Sequence, residues 1–504
     1  MSKQNKERSL FEQWCSHTTM HGVQDWWDAR YTTAKVFWTA TMLVMLTCAG
    51  GMIVVTIYNF FDYPHFVMRT KTDFEFPTFP HLTVCNRNLV NSTKARSYKL
   101  DDMVISAITM SQHLTMIDGM RLPALTPAQI QQIYEAWDKF YVSPPPGVPT
   151  DMQSLLFMFG HSCEETFVRC LYQDTMQAFD CCANAVPTVV MNNGLCWILR
   201  IPDPKQTDKD HTQRYTGLGY GIMLALDPSS QSYPDDILPG TSPTSGMILQ
   251  FDYAQPIGNL QNPIDLQPGC QAVVKMTAHS LEVTKSQLFT EQCVWKPTLK
   301  ILQGKLCSGV PLMHYRGGDA QRDYTVQYCQ WDCVQQAMLH HFGCLYMALE
   351  RQSEYASVPM CNITMTRARH ATNTNRSVAD ANFTVFLQRC YDACRVPCQR
   401  TFTIETKVST SKIITELDIE PVKRYYARFV DANSTVSLQQ LMNTNMVDVY
   451  FESTFVKANV IEQKMNFSEM LSLIGGGLGV FIGASLVTFL QCVWFVITAV
   501  FRRV

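Results

Sequence analysis

Charged residues are scarce in this 504-residue chain: Asp, Glu, Lys and Arg make up 17% of it, and the formal net charge is −2. A nucleic-acid-binding protein would need an excess of basic residues to meet phosphates, so that class is excluded. Apolar residues make up 46%, which together with the low charge excludes intrinsic disorder. Familiar catalytic motifs are also missing: the chain has no G-x-S-x-G, H-E-x-x-H or G-x-x-x-x-G-K-[ST]. We therefore expect no enzyme and no cofactor.

The lack of charge is complete in two long runs. No charged residue occurs between Lys35 and Asp62, and an apolar core of 22 residues lies in this gap. A second charge-free run covers Leu471 to Phe501. As a helix it would reach ~46 Å, whereas the hydrocarbon core of a bilayer is only ~30 Å thick. We predict transmembrane helices at 36–58 and 470–501, and expect the second to tilt, protrude or break.

Two spans place both chain termini on the same side of the lipid bilayer. The short flanking segments are rich in basic residues, which favours the cytoplasmic side. These residues are Lys3, Lys6, Arg8, Arg30, Lys35, Arg502 and Arg503. The sequence thus predicts a multi-pass plasma-membrane protein with a cytoplasmic amino tail at 1–35, an extracellular domain at 59–469 and a cytoplasmic end at 502–504.

Glycosylation sequons and cysteines agree with a large extracellular domain. Sequons for N-glycosylation begin at Asn91, Asn362, Asn375, Asn382 and Asn433, and a sixth begins at Asn466, close to the second membrane run. Of 19 cysteines, Cys15, Cys48 and Cys492 fall in the tail or the spans. The remaining 16 are an even number that permits eight disulfides. Zinc binding is less favoured, because cysteine pairs such as Cys329 and Cys333 are separated by three residues rather than two.

The extracellular sequence predicts mixed secondary structure. Apolar residues at helical spacing follow Thr126-Pro127 as far as Ser143-Pro-Pro-Pro-Gly147, which indicates an N-capped amphipathic helix with a defined end. A second helix is predicted from Val326 to His341, and strands at 425–430 and 447–455. The fold class is therefore α+β, with two transmembrane helices and a disulfide-rich extracellular domain.

The second membrane run carries the chemistry. Four glycines crowd between residues 475 and 479, which lets helices approach closely or lets one open. Ser485, Thr488 and Gln491 form a polar stripe at a spacing of three residues. Such a stripe in lipid needs water or another helix, so a pore made by several copies is favoured, with helix packing as the alternative. The segment Gly483-Ala484-Ser485 is where the run could break and turn carbonyls toward an ion.

Several motifs together resemble the degenerin/epithelial sodium channel family over nearly the whole chain. The last of them is the most specific. They are His21-Gly22, Tyr63-Pro64, Phe79-Pro80-His-Leu-Thr-Val-Cys85-Asn86, Gly194-Leu-Cys196, Pro268-Gly269, Tyr324-Thr-Val-Gln-Tyr-Cys329-Gln-Trp-Asp-Cys333 and Gly475-Gly476-x-x-Gly479-x-Phe481-x-Gly483-Ala484-Ser485.

The resemblance implies a trimer of identical chains with a hand-like extracellular domain of palm, ball, finger (about 91–195), thumb (about 290–400) and knuckle. It implies a pore that selects Na+ at Gly483-Ala484-Ser485 and is blocked by amiloride. It also implies that His21-Gly22 folds back to line the cytoplasmic mouth. Ser472 would occupy a position where bulk holds the gate open.

The resemblance also implies a disulfide pattern. The implied pairs are Cys85–Cys196, Cys163–Cys170, Cys293–Cys398, Cys329–Cys394, Cys333–Cys390 and Cys344–Cys361. It leaves Cys181, Cys182, Cys270 and Cys307 unassigned.

The chain departs from the family at Gln491, where many members carry a pore glutamate, and loss of that carboxylate would weaken cation attraction. The residues after the first span, Tyr63-Pro64-His65, lack the paired histidines of proton-gated members and are closer to peptide-gated ones. The chain is most similar to the neuropeptide (FMRFamide)-gated sodium channels of invertebrates. An extracellular peptide is therefore the expected stimulus, with proton gating and constitutive or mechanical gating as alternatives.

A peptide ligand would need an apolar cleft and an acidic partner. One candidate lining is Tyr134, Glu135, Trp137, Asp138 and Phe140, although the same helical spacing is typical of a buried core. Coupling to the pore is expected to pass through Tyr63. Two other classes remain as rivals. An ATP-gated receptor channel would need a lysine cluster and lacks the Gly-Ala-Ser motif, and a two-span scavenger-type lipid receptor needs no polar stripe.

Overall fold

The structure is a computed structural model of the chain. It describes residues 14–15, 18–61, 65–72, 76–112, 126–190, 193–229, 245–253, 260, 262–283, 326–345, 357–365, 378–394, 401–412, 443–463 and 465–501. The chain divides into two compact units. Unit 1 comprises Met1–Met68, Thr284–Glu291 and Val460–Val504, and unit 2 comprises Arg69–Val283 and Gln292–Asn459.

Helices and strands are both well represented among the described residues. The helices are α1 Val23–Asp28, α2 Thr32–Phe61, α3 Ser92–Ser97, α4 Asp102–Gln112, α5 Pro127–Val142, α6 Met152–Phe159, α7 Cys163–Thr166, α8 Val326–Phe342, α9 Val378–Ala393, α10 Phe467–Ile482 and α11 Leu486–Phe501. The strands are β1 His65–Thr72, β2 His81–Asn86, β3 Phe167–Tyr172, β4 Ala178–Phe179, β5 Ala185–Val190, β6 Gly194–Leu199, β7 Ile222–Leu226, β8 Met247–Asp252, β9 Ile264–Leu266, β10 Cys270–Val283, β11 Thr401–Lys412, β12 Asn445–Phe451 and β13 Val456–Gln463.

Unit 1 contains the apolar helices. The predicted first span, 36–58, lies inside α2, which is long and apolar enough to cross a membrane. Helices α10 and α11 have 16 residues each and are long enough only together, with a bend of 73° at the short break between them. That break occupies residues 483–485, where the sequence indicated that the second run could open.

Two sheets lie largely in unit 2. An eight-stranded sheet has the order β1-β13-β10-β12-β7-β3-β4 with β11 also on β10, and a five-stranded sheet has the order β5-β6-β2-β8-β9. Strand β10 pairs antiparallel with β11 and parallel with β12. Their apolar faces share one core, in which Leu82, Leu224 and Val449 are fully buried. The mixed helix and sheet content is compatible with the predicted α+β class.

The strand predicted at 447–455 is two strands rather than one. Strand β12 ends at Phe451 and β13 begins at Val456. Between them the Ser453 hydroxyl accepts a hydrogen bond from the Phe455 amide, 3.1 Å away, as in a serine-stabilised turn. The turn contains no glycine or proline that would mark it in the sequence, so the prediction ran through it.

The helix predicted after Thr126 is confirmed as α5. The Thr126 hydroxyl accepts a hydrogen bond from the Gln129 amide, and the Gln129 side chain accepts one from the Thr126 amide. This reciprocal capping satisfies two backbone donors that a helix start leaves free. The apolar face of α5 packs with α4 and α6 in a second core, separate from that of the sheets.

Disulfides agree with most of the implied pattern. The structure bonds Cys85–Cys196, Cys329–Cys394, Cys333–Cys390 and Cys344–Cys361. Sulfur atoms of Cys329, Cys333 and Cys394 lie within 4.8 Å of one another, but all three are held in disulfides and offer no thiolate to a metal. Cys270 is a free, buried thiol, so the 16 cysteines that the sequence assigns to the extracellular domain do not all pair.

The implied Cys163–Cys170 pair is wrong. The structure bonds Cys163 to Cys182 and Cys170 to Cys181. Cys163 begins α7 and Cys170 lies inside the extended strand β3, so ~3.3 Å per strand residue carries them apart. Strand β4 pairs back on β3 with Phe179 opposite Cys170, which brings the next cysteine, Cys181, within reach.

We expect the paired variant Cys163→Ser with Cys182→Ser to release no new free thiol, because these two residues are each other's partner. Removing a bridge of this loop length costs roughly 2–4 kcal/mol of stability, so the protein should still fold. Alkylation of the denatured, unreduced chain followed by mass measurement counts free thiols. Alkylation of Cys170 in this variant would show that its partner is Cys163, as the resemblance implied.

Several sequence predictions fall outside the described residues. They are Tyr63, Cys293, Cys307, Cys398, Asn375, Asn433 and the strand at 425–430. Asn382 lies on α9, where its side chain is not described. Asn362 is only 7% exposed, and its side-chain oxygen accepts hydrogen bonds from the Thr364 and Met365 amides, which disfavours a glycan there.

Candidate functional site

The break between α10 and α11 is built from the chemistry of three small residues. Gly483 ends α10 in the left-handed conformation, with φ 65°, which costs an L-residue strain that glycine avoids. Its amide donates to the Gly479 carbonyl at 3.0 Å, and the Ala484 amide to the Leu478 carbonyl at 3.2 Å. Ser485 then caps α11, because its hydroxyl accepts from the Thr488 amide at 3.3 Å. The segment Gly-Ala-Ser thus stops one helix and starts the next.

An amino-terminal segment packs against this break. The His21 amide donates to the carbonyl of Ile482, the last residue of α10, at 2.9 Å. The hydroxyls of Thr19 and Thr488 lie 2.5 Å apart. About two turns further along α11, the Trp14 ring packs on Phe495 with centroids 6.0 Å apart. The segment therefore follows the break and one face of α11.

The His21-Gly22 motif also fixes where α1 lies. Gly22 caps the start of α1, and a Cβ placed on it would be 3.2 Å from the Met42 side chain and 3.3 Å from Trp38. Trp26 lies on α1, and the ammonium of Lys35, on α2, lies 5.7 Å from the centre of its ring. These contacts place α1 alongside the first turns of α2, so the amino-terminal segment folds back beside the apolar part of that helix.

The three members of the predicted polar stripe differ in what they contact. Thr488 is 3% exposed and is engaged by both Thr19 and Ser485. The side-chain oxygen of Gln491 is buried and has no hydrogen-bond donor among the residues that the structure describes. A buried carbonyl oxygen without a hydrogen bond costs free energy in an apolar setting. The Gln491 oxygen could be satisfied by water, an ion or another chain.

The glycines of α10 serve two purposes. Gly477 is buried against α2, where an added Cβ would fall 1.5 Å from the methyl carbon of Met52. Gly475, Gly476 and Gly479 face open space in a single chain. Ser472 is exposed on the same helix. The exposed glycine face is therefore available to a further helix.

Two contributions to this site were missed from the sequence. Thr19 contacts a residue 469 positions away, and no local signal marks it. Asn466 caps α10, accepting from the Glu469 amide at 2.8 Å while the Glu469 carboxylate accepts from the Asn466 amide. The spacing of an Asn three residues before a Glu could have revealed this cap.

The proposed peptide-lining residues on α5 do not form an open surface. Tyr134, Trp137 and Phe140 are 5%, 1% and 5% exposed and belong to the core shared with α4 and α6. Glu135 and Asp138 lie on the opposite, exposed face, where Asp138 accepts a hydrogen bond from Thr364. The apolar spacing on α5 therefore reflects core packing, and its aromatic rings are not available to a ligand in this structure.

Buried titratable groups lie in unit 2. Asp448 on β12 is 3% exposed and accepts from the Gln173 side chain at 2.7 Å and from the Gln271 side chain at 2.8 Å. Burial raises the pKa of Asp448, and these two hydrogen bonds oppose the rise. Burial likewise raises the pKa of Asp227. Both carboxyl groups thus bind protons more readily than an exposed aspartate.

The buried histidines behave in the opposite way. Burial lowers the pKa of His161 to about 4, with Glu165 opposing the shift. Burial also lowers the pKa values of His81 and His211, although Asp210 opposes the shift at the first and Asp174 at the second. These imidazoles therefore resist protonation in mild acid.

We expect His161 to make the protein less stable in acid. Its folded pKa, about 4, lies below the ordinary 6.5, so the unfolded chain binds a proton that the folded chain excludes. The free energy of unfolding should fall as the pH drops from 6.5 to about 4 and then level off, by roughly 3 kcal/mol. Thermal unfolding of the detergent-solubilised chain between these pH values tests this. His161→Phe should flatten the dependence, and equal slopes in the variant and the unsubstituted protein would contradict the assignment.

The comparisons with known proteins agree with one another. A family model described as amiloride-sensitive sodium channel matches residues 14–495. Acid-sensing ion channel 1A of Danio rerio is 21% identical over 490 residues, covering 94% of this chain and 85% of that protein. Acid-sensing ion channel 2 of Danio rerio is 22% identical over 464 residues, covering 90% and 76%. Acid-sensing ion channel 4 of Rattus norvegicus is 22% identical over 485 residues, covering 94% and 77%.

A solved structure was also matched. It is a cryo-EM structure of a proton-activated chloride channel, with 8% identity and a TM-score of 0.29, and the match covers 92% of this chain and 99% of that one. So low a score supports no inference about fold or function.

Proposed function

Because the chain belongs to the amiloride-sensitive sodium channel family, we propose that it is a pore-forming subunit of a sodium-selective channel opened by an extracellular peptide of the FMRFamide type. Members of the family are multimeric, membrane-bound sodium channels blocked by amiloride. We further propose that three copies of this chain assemble in the plasma membrane with both termini cytoplasmic. The family is one of ion channels, so neither an enzyme nor a lipid receptor is retained.

The observation that carries the pore assignment is the helix break at Gly483-Ala484-Ser485. A span interrupted by non-helical residues is tolerated in lipid only where it is buried in protein or lines water. Here one side of the break is covered by the segment containing Thr19 and His21. The other side would be closed by the matching breaks of further copies, whose small residues could then surround a sodium ion.

Within this proposal, the neutral amide of Gln491 leaves this level of the pore without a fixed negative charge. An amide there attracts cations less strongly than the carboxylate of many family members. The proposal therefore includes weak binding of divalent cations at this level. Amiloride remains the expected blocker.

Peptide gating rests on the sequence after the first span and on the extra extracellular cysteines. Because the aromatic face of α5 is buried, the residues that bind the peptide are not assigned. Coupling through Tyr63 stays part of the proposal. The alternative of proton gating has its own support, since the relatives named above are acid-sensing channels and Asp448 has a raised pKa. Constitutive or mechanical gating remains a further alternative.

The deciding experiment is voltage clamp of cells that express the full chain at their surface. Four challenges are applied in turn: FMRFamide, an acid step, ATP and membrane stretch. We expect the peptide to evoke an inward sodium current that amiloride blocks and that disappears when external Na+ is replaced by a large organic cation. Current evoked by acid alone would favour the proton-gated alternative. Absence of sodium current under all four, with surface protein shown by biotinylation, would contradict the channel function; cells without the chain are the control.

A further inference from the structure

One cysteine of unit 2 stands apart from the disulfides. Of the unit 2 cysteines that the structure describes, only Cys270 is unbonded, and it is 7% exposed. It begins β10, where it lies opposite Lys412 of β11, and the next residue, Gln271, lies opposite Met446 of β12. A free thiol in a part of the chain that is otherwise closed by disulfides is a candidate for chemical modification.

The side chain of Asn445 lies against this thiol. Its oxygen accepts a hydrogen bond from the Cys270 amide at 3.3 Å and a second one from the thiol, with Sγ 3.7 Å away. Asn445 is fully buried, and its side-chain nitrogen has no acceptor among the residues that the structure describes. Turning the amide over would set this nitrogen against the Cys270 N–H, donor against donor, so its orientation is fixed. A buried N–H donor beside the sulfur therefore lacks a partner, at a cost that a new acceptor would remove.

Backbone donors also face the sulfur. Burial raises the pKa of the Cys270 thiol, and hydrogen bonds from the backbone amides of Cys270 and Gln267 oppose that rise. N–H groups stabilise negative charge on sulfur, and they can equally donate to an oxygen atom that the sulfur carries. The surroundings of Cys270 thus supply donors for an oxygen bonded to Sγ, while burial restricts the reagent that delivers this oxygen to a small molecule.

We propose that Cys270 is a modification site at which a hydroperoxide oxidises the thiol to a sulfenic acid, with Asn445 as the positioning residue that holds the added oxygen. The sulfur, as thiolate, attacks one oxygen of hydrogen peroxide. The S–O bond forms as the O–O bond breaks, and the departing hydroxide takes up the thiol proton to give water. Sulfur loses two electrons and the peroxide gains them.

The same burial determines what becomes of the oxidised sulfur. A sulfenic acid is ordinarily consumed by a second thiol, which condenses with it to a disulfide. Every other cysteine of unit 2 that the structure describes is already bonded. Thiols from solution are bulkier than peroxide and are kept from a side chain that is 7% exposed. We therefore expect the sulfenic acid at Cys270 to persist, with its oxygen accepting from the Asn445 nitrogen.

Chemical trapping tests this directly. Cells that express the full chain receive hydrogen peroxide, then catalase, and after a variable delay dimedone, which adds to sulfenic acids. Surface protein is isolated and digested, and the dimedone adduct on the Cys270 peptide is measured by mass spectrometry. The matched control is Cys270→Ser combined with Ser411→Cys, which moves the thiol to an exposed position on β11. We expect the adduct at Cys270 to survive a severalfold longer delay than that at position 411. No adduct at Cys270 under conditions that label position 411, or equal decay at both, overturns the proposal.

Substitution of Asn445 tests the positioning role. Asn445→Asp keeps the oxygen that accepts from Cys270 and removes the N–H donor, and Asn445→Ser removes the donor without adding a charge. In whichever variant reaches the cell surface, we expect the lifetime of the sulfenic acid at Cys270 to fall severalfold. An unchanged lifetime overturns the role of Asn445, and if neither variant is delivered, the comparison with position 411 decides. The adduct is measured chemically and without current, so this inference and the proposed channel function fail separately.

Discussion

Replacing Gly483 with alanine should lower the current by roughly tenfold or more while leaving surface protein nearly unchanged. Gly483 has φ 65°, and an L-residue there costs about 1–2 kcal/mol. The added Cβ would also lie 2.8 Å from the carbonyl oxygen of Thr19 and 2.8 Å from a ring carbon of His21. A backbone oxygen cannot swing aside as a flexible side chain does. The amino-terminal segment must therefore leave the break, and we expect a loss of conductance of roughly tenfold or more, as a shift of ~1.4 kcal/mol in population would give.

Two measurements make this prediction decisive. Current per unit of surface protein reports function. Reactivity of Cys15 towards a thiol reagent reports the position of the segment, because Cys15 is 1% exposed in the intact arrangement. With Cys48, Cys270 and Cys492 replaced by serine, Gly483→Ala should speed labelling of Cys15. The control is Gly50→Ala on α2, where an added Cβ meets nothing within 4 Å and neither readout should move. Unchanged current with Cys15 still protected would show that the segment does not depend on Gly483.

The parts of this site that could be predicted are those with local sequence signals. A long charge-free run marks α2, and the greater length of the second run predicts that it tilts, protrudes or breaks. Glycine and serine are the residues that end one helix and cap another, so Gly483 and Ser485 mark where the break falls. The start of α5 was predictable for the same reason, since Thr126 and Gln129 lie three residues apart.

The parts that could not be predicted depend on contacts between distant residues. Thr19 and Thr488 come together only in the folded chain, and neither their residue type nor their spacing in the sequence predicts the contact. The partners of Cys163 and Cys170 depend on strand β4 folding back, which the cysteine spacing does not encode. On α5 the aromatic spacing was compatible with a ligand cleft or a core, and only the burial of Trp137 distinguishes them.

The glycines in the loop before β7, residues 215–221, also show that sequence alone does not reveal contacts between distant residues. They lead to the second prediction of a large effect. Gly219 and Gly221 look equivalent in sequence. A Cβ on Gly221 would lie 1.9 Å from the Val449 carbonyl oxygen and 2.8 Å from Cβ of Tyr450, both on β12. Val449 pairs with Ile222, the residue after Gly221, so the clash falls where β7 joins β12. Around Gly219 nothing lies within 4 Å, and the residue is constrained only by its φ of 99°.

Gly221→Ala should therefore prevent delivery of folded protein to the cell surface. Separating β7 from β12 disturbs a buried sheet core and costs roughly 4 kcal/mol or more, a large share of the ~5–15 kcal/mol that stabilises a typical domain. Gly219→Ala should cost only the backbone strain, about 1–2 kcal/mol, and leave most of the protein intact. Surface biotinylation and thermal unfolding of the solubilised chain measure both. Equal behaviour of the two variants would show that β12 shifts at Val449 to accommodate the added methyl group.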